Sequence, residues 1–142
     1  MDKIMKASEQ IALFCRLNLN SKKGLPIRSS EMGMLIYLVK TDEEKTPNAA
    51  AQFFNVTKSM ATNMTTSLLT NGYIEKKQSE TDKRSFRLIP TEKAIRLVER
   101  AYDEYFKTMT LLESKMGKEQ FKELITMLKT ANKILLEERN NG

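Results

Sequence analysis

The sequence has no histidine and only one cysteine, Cys15. A lone cysteine excludes an internal disulfide framework, and with histidine missing too the common zinc sites are excluded. The lack of histidine also removes the usual acid–base and nucleophilic sets. No glycine-rich phosphate loop and no cluster of carboxylates stands in their place, so no catalytic residue, no cofactor and no metal is expected. There is no apolar stretch behind a basic start, as in a signal peptide, and no apolar run near the roughly 20 residues that cross a bilayer. Internal repeats and low-complexity stretches are absent as well. The expectation is a non-enzymatic protein of the cytoplasm, without a membrane partner.

What is present is an ordinary globular composition. At 142 residues the chain has the length of about one domain, so 1–142 is read as one. Its 40% hydrophobic and 30% charged residues provide a core and a solvated surface. A chain this short can still leave apolar surface for a partner subunit. The formal net charge of +6 favours polyanions through counterion release, without distinguishing DNA from RNA or an anionic membrane.

Apolar periodicity organises the chain into helices. Ile4, Ala7, Ile11 and Phe14 mark a first helix over 2–20, widened by Leu13, Cys15 and Leu17 and ended by Gly24 and Pro26. Ser29 or Ser30 is the expected cap of a second helix over 30–41, with Glu31 at its positive end and Met32, Leu35, Ile36 and Val39 buried. Thr46-Pro47-Asn48 breaks the chain before a short third helix over 48–54, which carries Ala50, Ala51, Phe53 and Phe54. Asn55 supplies the left-handed step of a tight turn, and Thr57 caps a fourth helix over about 58–71 that ends at Asn71-Gly72. Tyr73–Gln78 and Ser85–Ile89 predict a β-hairpin around a polar turn. Pro90 is expected to stop the second strand, and Thr91 to cap a long fifth helix. Its seam is Ile95, Val98, Tyr102, Tyr105, Met109 and Leu112, the spacing of helices that pack along their length. A sixth helix starts near Gly117 and repeats that spacing with Phe121, Leu124, Leu128, Ala131 and Leu135, and Arg139–Gly142 are expected to fray.

The informative unit is 46–90: short helix, turn, helix, basic hairpin. This is a winged helix-turn-helix pattern, whose second helix must be packed on one face and free on the other to reach base edges in a major groove. At about 100° per residue, Ala61, Met64, Thr65 and Leu68 of the fourth helix share one side, and Ser59, Thr62, Asn63, Thr66 and Thr70 face the other. A solvated face more often carries Lys and Glu, which are better helix formers. Asn63 could pair with an adenine edge, and Thr62 and Thr66 could meet a base or a thymine methyl. In the hairpin, Lys76, Lys77, Lys83, Arg84 and Arg87 outnumber Glu75, Glu80 and Asp82. A tip bearing Lys83 and Arg84 suits phosphates or a narrow minor groove, and Asp82 would hold it by accepting backbone N–H bonds.

This stretch resembles the MarR-type winged helix regulators. The match runs from Thr46 to about Leu97, through Leu68-Leu69-Thr70-Asn71-Gly72-Tyr73-Ile74-Glu75. Asp82-x-Arg84 followed by Thr91-Glu92-Lys93 is its most specific part. The resemblance implies a homodimer, with 1–24 and 91–142 as a helical dimerisation region and 30–90 as the winged lobe. It implies binding to a pseudopalindromic double-stranded DNA site, and a crevice for a small aromatic or anionic effector. By position, Arg84 looks like the minor-groove residue of the wing and Asp82 like its positioning partner. Lys58, Ser59, Thr62 and Asn63 match the recognition face. The sequence departs from the family at Asn55 and Ala94, where glycine is frequent, and at Asn63 and Ser67, where many members have arginine.

Other features have plainer readings. Some members of the family sense oxidants through a cysteine on the first helix, but Cys15 lies beside the packing face, where a free thiol is usually a small buried hydrophobe. The methionines, among them Met32, Met34, Met60, Met64, Met109, Met116 and Met127, are expected to fill the core. Tyr102, Tyr105 and Phe106 are expected to pack rather than stack on bases. A helical adaptor that binds a protein and not DNA is the alternative reading, supported only by the weakly charged fourth helix.

Overall fold

The computed structural model of the chain describes residues 2–20, 24–43 and 45–141. They fall into two units, Met1–Tyr105 and Phe106–Gly142. In the first, α1 (Lys3–Asn20), α2 (Ser29–Lys40), α3 (Pro47–Phe54) and α4 (Lys58–Thr70) precede an antiparallel hairpin of β1 (Ile74–Gln78) and β2 (Phe86–Pro90), and α5 (Glu92–Tyr105) follows it. In the second, α6 (Lys107–Met116) packs on α7 (Lys118–Asn141). The expected class, mainly helical with a hairpin wing behind a helix-turn-helix, is the class observed. No described helix is long and apolar enough to cross a membrane.

The core lies where α2, α4, α5 and the hairpin meet. Met32, Met34, Leu35, Leu68 and Val98 are fully enclosed, and Ile74 and Leu88 close the core from the hairpin. Burial of each such side chain stabilises the fold by roughly 1.5–3 kcal/mol. Met34 and Leu38 take core places where Val39 was expected, and Val39 is only half-buried. Met64 fills the core as expected, whereas Met60 and Met127 are exposed. Phe53 is exposed too, because its ring stacks on Tyr37 at 4.3 Å between centroids instead of entering the core. Burial, and then the negative charge of Glu43, raises the Tyr37 phenol above its ordinary pKa and keeps it neutral.

Ser29 and Ser30 do not cap α2. Both are already inside the helix, Arg28 stands at the cap, and Glu31 accepts the Arg28 N–H at 3.2 Å. The carboxylate replaces the serine hydroxyls because it folds back from the first turn, which also favours its charge.

The two ends of the hairpin are tied together by one threonine. Gly72 turns the chain out of α4 with φ of 78°, and the Tyr73 N–H donates to Leu68 O at 2.9 Å. Across the hairpin mouth the Thr91 N–H donates to Tyr73 O at 3.0 Å. The Thr91 hydroxyl lies 2.8 Å from Gly72 O and 3.1 Å from Tyr73 O, to which its proton is shared. It also accepts the Ala94 N–H at 3.3 Å and so caps α5, as expected. Lys93 Nζ adds a bond to Asn71 O at 2.7 Å. Pro90 does not stand beyond β2: it is the last strand residue, opposite Ile74, a strand end where a missing N–H costs little. On its outer edge β2 gains a bond from Leu88 N–H to Lys45 O at 2.7 Å.

The single long fifth helix is a misreading. α5 ends at Tyr105, Phe106 turns with φ of −97° and ψ of 6°, and α6 begins at Lys107. The Tyr105 hydroxyl donates to Ser29 O at 3.3 Å above Gly33, where an added Cβ would lie 3.0 Å from it. This anchor to α2 is tertiary, so no local breaker marks it. The buried stripe of α5 is Ala94, Leu97, Val98 and Ala101, leaving the seam residues Ile95 and Tyr102 partly exposed. The apolar face of α1 is exposed throughout, and Cys15 with it, contrary to a buried thiol. α7 continues as helix through Arg139–Asn141, where fraying was expected, and Gly142 lies outside the described residues.

Thr91→Val removes the hydroxyl but keeps the shape. It should remove the side-chain cap of α5 at Ala94 and the hydroxyl bonds to the Gly72 and Tyr73 carbonyls, and lower stability by about 1 kcal/mol in thermal unfolding, while Thr91→Ser stays near the parent.

Candidate nucleic-acid interface

The helix-turn-helix is built by local capping. Thr46 accepts the Ala49 N–H at 3.0 Å, and Pro47 follows at the first helical position, where its missing N–H has no intrahelical acceptor to lose. Asn55 adopts φ of 55° and ψ of 41°, the left-handed step expected of it. Its N–H donates to Gln52 O, and the Val56 N–H donates to Ala51 O at 3.1 Å, which turns the chain sharply out of α3. Thr57 then accepts the Met60 N–H at 3.1 Å and starts α4.

The two faces of α4 divide as the helical wheel predicts. Ala61, Met64, Thr65 and Leu68 are buried, and the Thr65 hydroxyl is satisfied by Ala61 O at 2.8 Å. Ser59, Thr62, Asn63, Thr66 and Thr70 are exposed, as is Lys58 at the helix start. The outer face is therefore a row of short donors and acceptors with one cation at its positive end.

The wing tip is a fixed turn. Asp82 Oδ1 accepts the Arg84 N–H at 3.0 Å, the bond expected of it. Two contributors escaped the sequence reading. Ser79, buried at the neck, accepts the N–H groups of Thr81 and Asp82 at 3.3 and 3.2 Å. Gln78 donates to Lys83 O at 2.8 Å. Polar residues bordering a turn are the signal that could have found them. The turn holds Lys83 and Arg84 outward, and among the described residues no ion pair engages either side chain.

Alternation along the hairpin separates the other basic residues. In the register, Lys76 opposes Leu88 and Gln78 opposes Phe86, which puts Lys76 and Phe86 on the inner face with Ile74 and Leu88. Lys77 opposes Arg87 on the outer face. There Arg87 Nη2 meets Glu80 Oε1 at 3.4 Å, so part of its charge is already answered. A cleft of about 480 Å³ opens between the inner face, the start of α3 and the start of α4. It brings together Lys58, Thr62, Lys76 and Asp82 from the sequence reading. Thr46, Pro47, Asn48, Ser85 and Phe86 also line it and were missed, because only the fold sets α3 against the wing. Among the described residues two ammonium groups and one carboxylate line it, a balance suited to a polyanion. No group of acidic, cysteine or histidine residues that could hold a metal occurs among the described residues.

Comparison with known proteins gives the same architecture. Residues 30–86 match the model of the MarR family. No curated protein sequence matches the chain significantly. Among solved structures, the S. aureus MepR–DNA complex is 18% identical with a TM-score of 0.80, covering 89% of this chain and 96% of that one. Sco3205, a MarR family transcriptional regulator from Streptomyces coelicolor in complex with DNA, is 16% identical with a TM-score of 0.79, over 93% of this chain and 88% of that one. The organohalide-sensing transcriptional regulator RdhR-CbdbA1625, in its 2,4-dichlorophenol-bound form, is 18% identical with a TM-score of 0.78, over 96% of this chain and 83% of that one. At such identities the likeness establishes fold. The helix-turn-helix and the Asp82-braced turn of the wing fall within the matched stretch: residues 30–86 match the MarR family, and the chain has the winged helix fold of these solved structures.

Proposed function

We propose that this chain is a transcriptional regulator that binds double-stranded DNA in a sequence-specific way, as a homodimer on a pseudopalindromic site. The observation that carries the reading is the pairing of an uncharged, polar outer face on α4 with an unpaired Lys83–Arg84 tip across a basic cleft. In this reading Ser59, Thr62, Asn63 and Thr66 meet base edges, and Lys58, Lys76 and Lys83 meet phosphates. Arg84 enters the minor groove, with Asp82 holding its backbone. Lys77 and Arg87, on the outer face of the wing, take a lesser share as phosphate contacts. A protein-binding adaptor would have no use for two free cations at the tip.

Two of the similar structures hold DNA, which supports the same reading here. The dimer is supported by the apolar residues that α1 and α7 leave in solvent, Ile4, Ile11 and Leu17 on one and Met127, Ile134 and Leu135 on the other. We assign 30–90 to the DNA-binding lobe and 1–24 with 91–142 to dimerisation; residues 1, 21–23, 44 and 142 of that assignment lie outside the described ones. Control by a small aromatic or anionic effector belongs to the reading, on the precedent of the regulator that binds 2,4-dichlorophenol. The protein so described is non-enzymatic and cytoplasmic.

Titration against a duplex selected from a random pool should give an affinity that falls with salt, by about 0.9 in log–log slope for each phosphate contact. A flat dependence, or a monomer in solution, would sink the proposal. Arg84→Ala should weaken binding by about tenfold or more with the dimer intact, read by anisotropy and light scattering. Asn63→Ala should relax preference at a single base pair by about 1–3 kcal/mol, read by binding to singly substituted duplexes.

A further inference from the structure

On the inner face of the hairpin β1 turns polar towards the tip, at Lys76 and Gln78, whereas β2 stays apolar into solvent. Ile74 and Leu88 on that face are 2% and 3% exposed. Phe86, two residues nearer the tip on the same face, is 51% exposed. A single exposed phenylalanine is unremarkable by itself. This one stands in the wall of the basic cleft, with Lys58 and Thr62 from α4 and the start of α3 across from it. Lys76 Nζ lies 5.7 Å from its ring centroid, a distance at which an ammonium is held over a ring. Asp82, the one carboxylate among the described residues that line the cleft, already accepts the Arg84 N–H. The cleft therefore offers cations for an anionic chain and one uncovered apolar ring between them.

A nucleic-acid backbone has that alternation: phosphates separated by sugars whose C–H faces are apolar. Resting on the DNA reading above, we infer that Phe86 is a contact residue of the interface, packing its ring against one deoxyribose while Lys76 and Lys58 take the phosphates on either side. The contact is independent of base sequence, since it involves the sugar alone. It sets how deeply the wing seats on the backbone, and thereby the depth at which Arg84 reaches the groove. It also explains why an apolar side chain is tolerated at the mouth of a charged cleft: the ring is open only until DNA covers it.

The test is anisotropy titration of the full chain against the selected duplex and a scrambled duplex of equal length, at several salt concentrations. Covering the open half of the ring is worth about tenfold in affinity, so Phe86→Ala should weaken both duplexes by about that factor with an unchanged salt slope. Lys76→Ala should make the slope shallower by about one. Phe86→Tyr should bind like the parent. If Phe86→Ala fails thermal unfolding controls, Phe86→Leu keeps the packing at the strand start and should show the same loss. Parent-like binding by the folded alanine or leucine variant overturns the inference while leaving the DNA reading intact. So does a loss confined to the selected duplex and abolished when its thymines are replaced by deoxyuridine, which would make the ring a thymine-methyl contact. If the parent chain binds neither duplex, the DNA reading fails and this inference falls with it.

Discussion

The Thr91 hydrogen bonds are the constraint on which the rest of the first unit depends. One side chain closes the hairpin mouth at Gly72 and Tyr73 and caps α5 at Ala94. The backbone bond from Tyr73 to Leu68 carries the tie into α4. Three elements that share few residues of sequence are thus held in one geometry. The bond to Gly72 O is open to solvent and those to Tyr73 O and Ala94 N–H are part-buried, so each adds about 1 kcal/mol and their effect lies in acting together. The wing cannot pivot on α4 without breaking several of them together.

That rigidity allows α4 to be made of poor helix formers. Threonine, serine and asparagine lower its intrinsic propensity by tenths of a kcal/mol each, on the order of the differences between residue scales. The Thr57 cap and the buried Ala61, Met64, Thr65 and Leu68 offset that cost. What remains is an outer face free to be chosen for hydrogen bonding instead of helicity. The wing follows the same logic. Ser79, Gln78 and Asp82 use their side chains on the turn's own backbone, which leaves Lys83 and Arg84 as the groups presented outward.

Charge is distributed by strand alternation and not by sequence proximity. Lys76 and Lys77 are neighbours in the chain, yet one lines the cleft and the other the far face of the hairpin. Arg87 shares the far face and is partly answered by Glu80. A count of basic residues in the hairpin overstates the positive surface that any one partner would meet. Exposed apolar surface follows a different rule: on α1 and α7 it runs along whole helices, whereas in the lobe it narrows to Phe86, Phe53 and Met60.

Local chemistry was legible in the sequence. Thr46, Thr57 and Thr91 read as caps, Asn55 as a left-handed step, Asp82 as a turn brace, and the two faces of α4 as one buried and one free, because each depends on neighbours within a few residues. The features that were misread depend on contacts distant in sequence. Glu31 displaced two serines at the start of α2, and Tyr105, held at Ser29, ended a helix that periodicity would have continued. The cleft and the place of Phe86 in it were invisible for the same reason: residues 46–48 and 85–86 meet only once Lys45 has paired with Leu88. Sequence by itself determined which segments turn, cap and expose their polar faces, since those are properties of short stretches of chain. Tertiary structure alone decided which faces meet, since that depends on long-range hydrogen bonds and packing that no local pattern encodes.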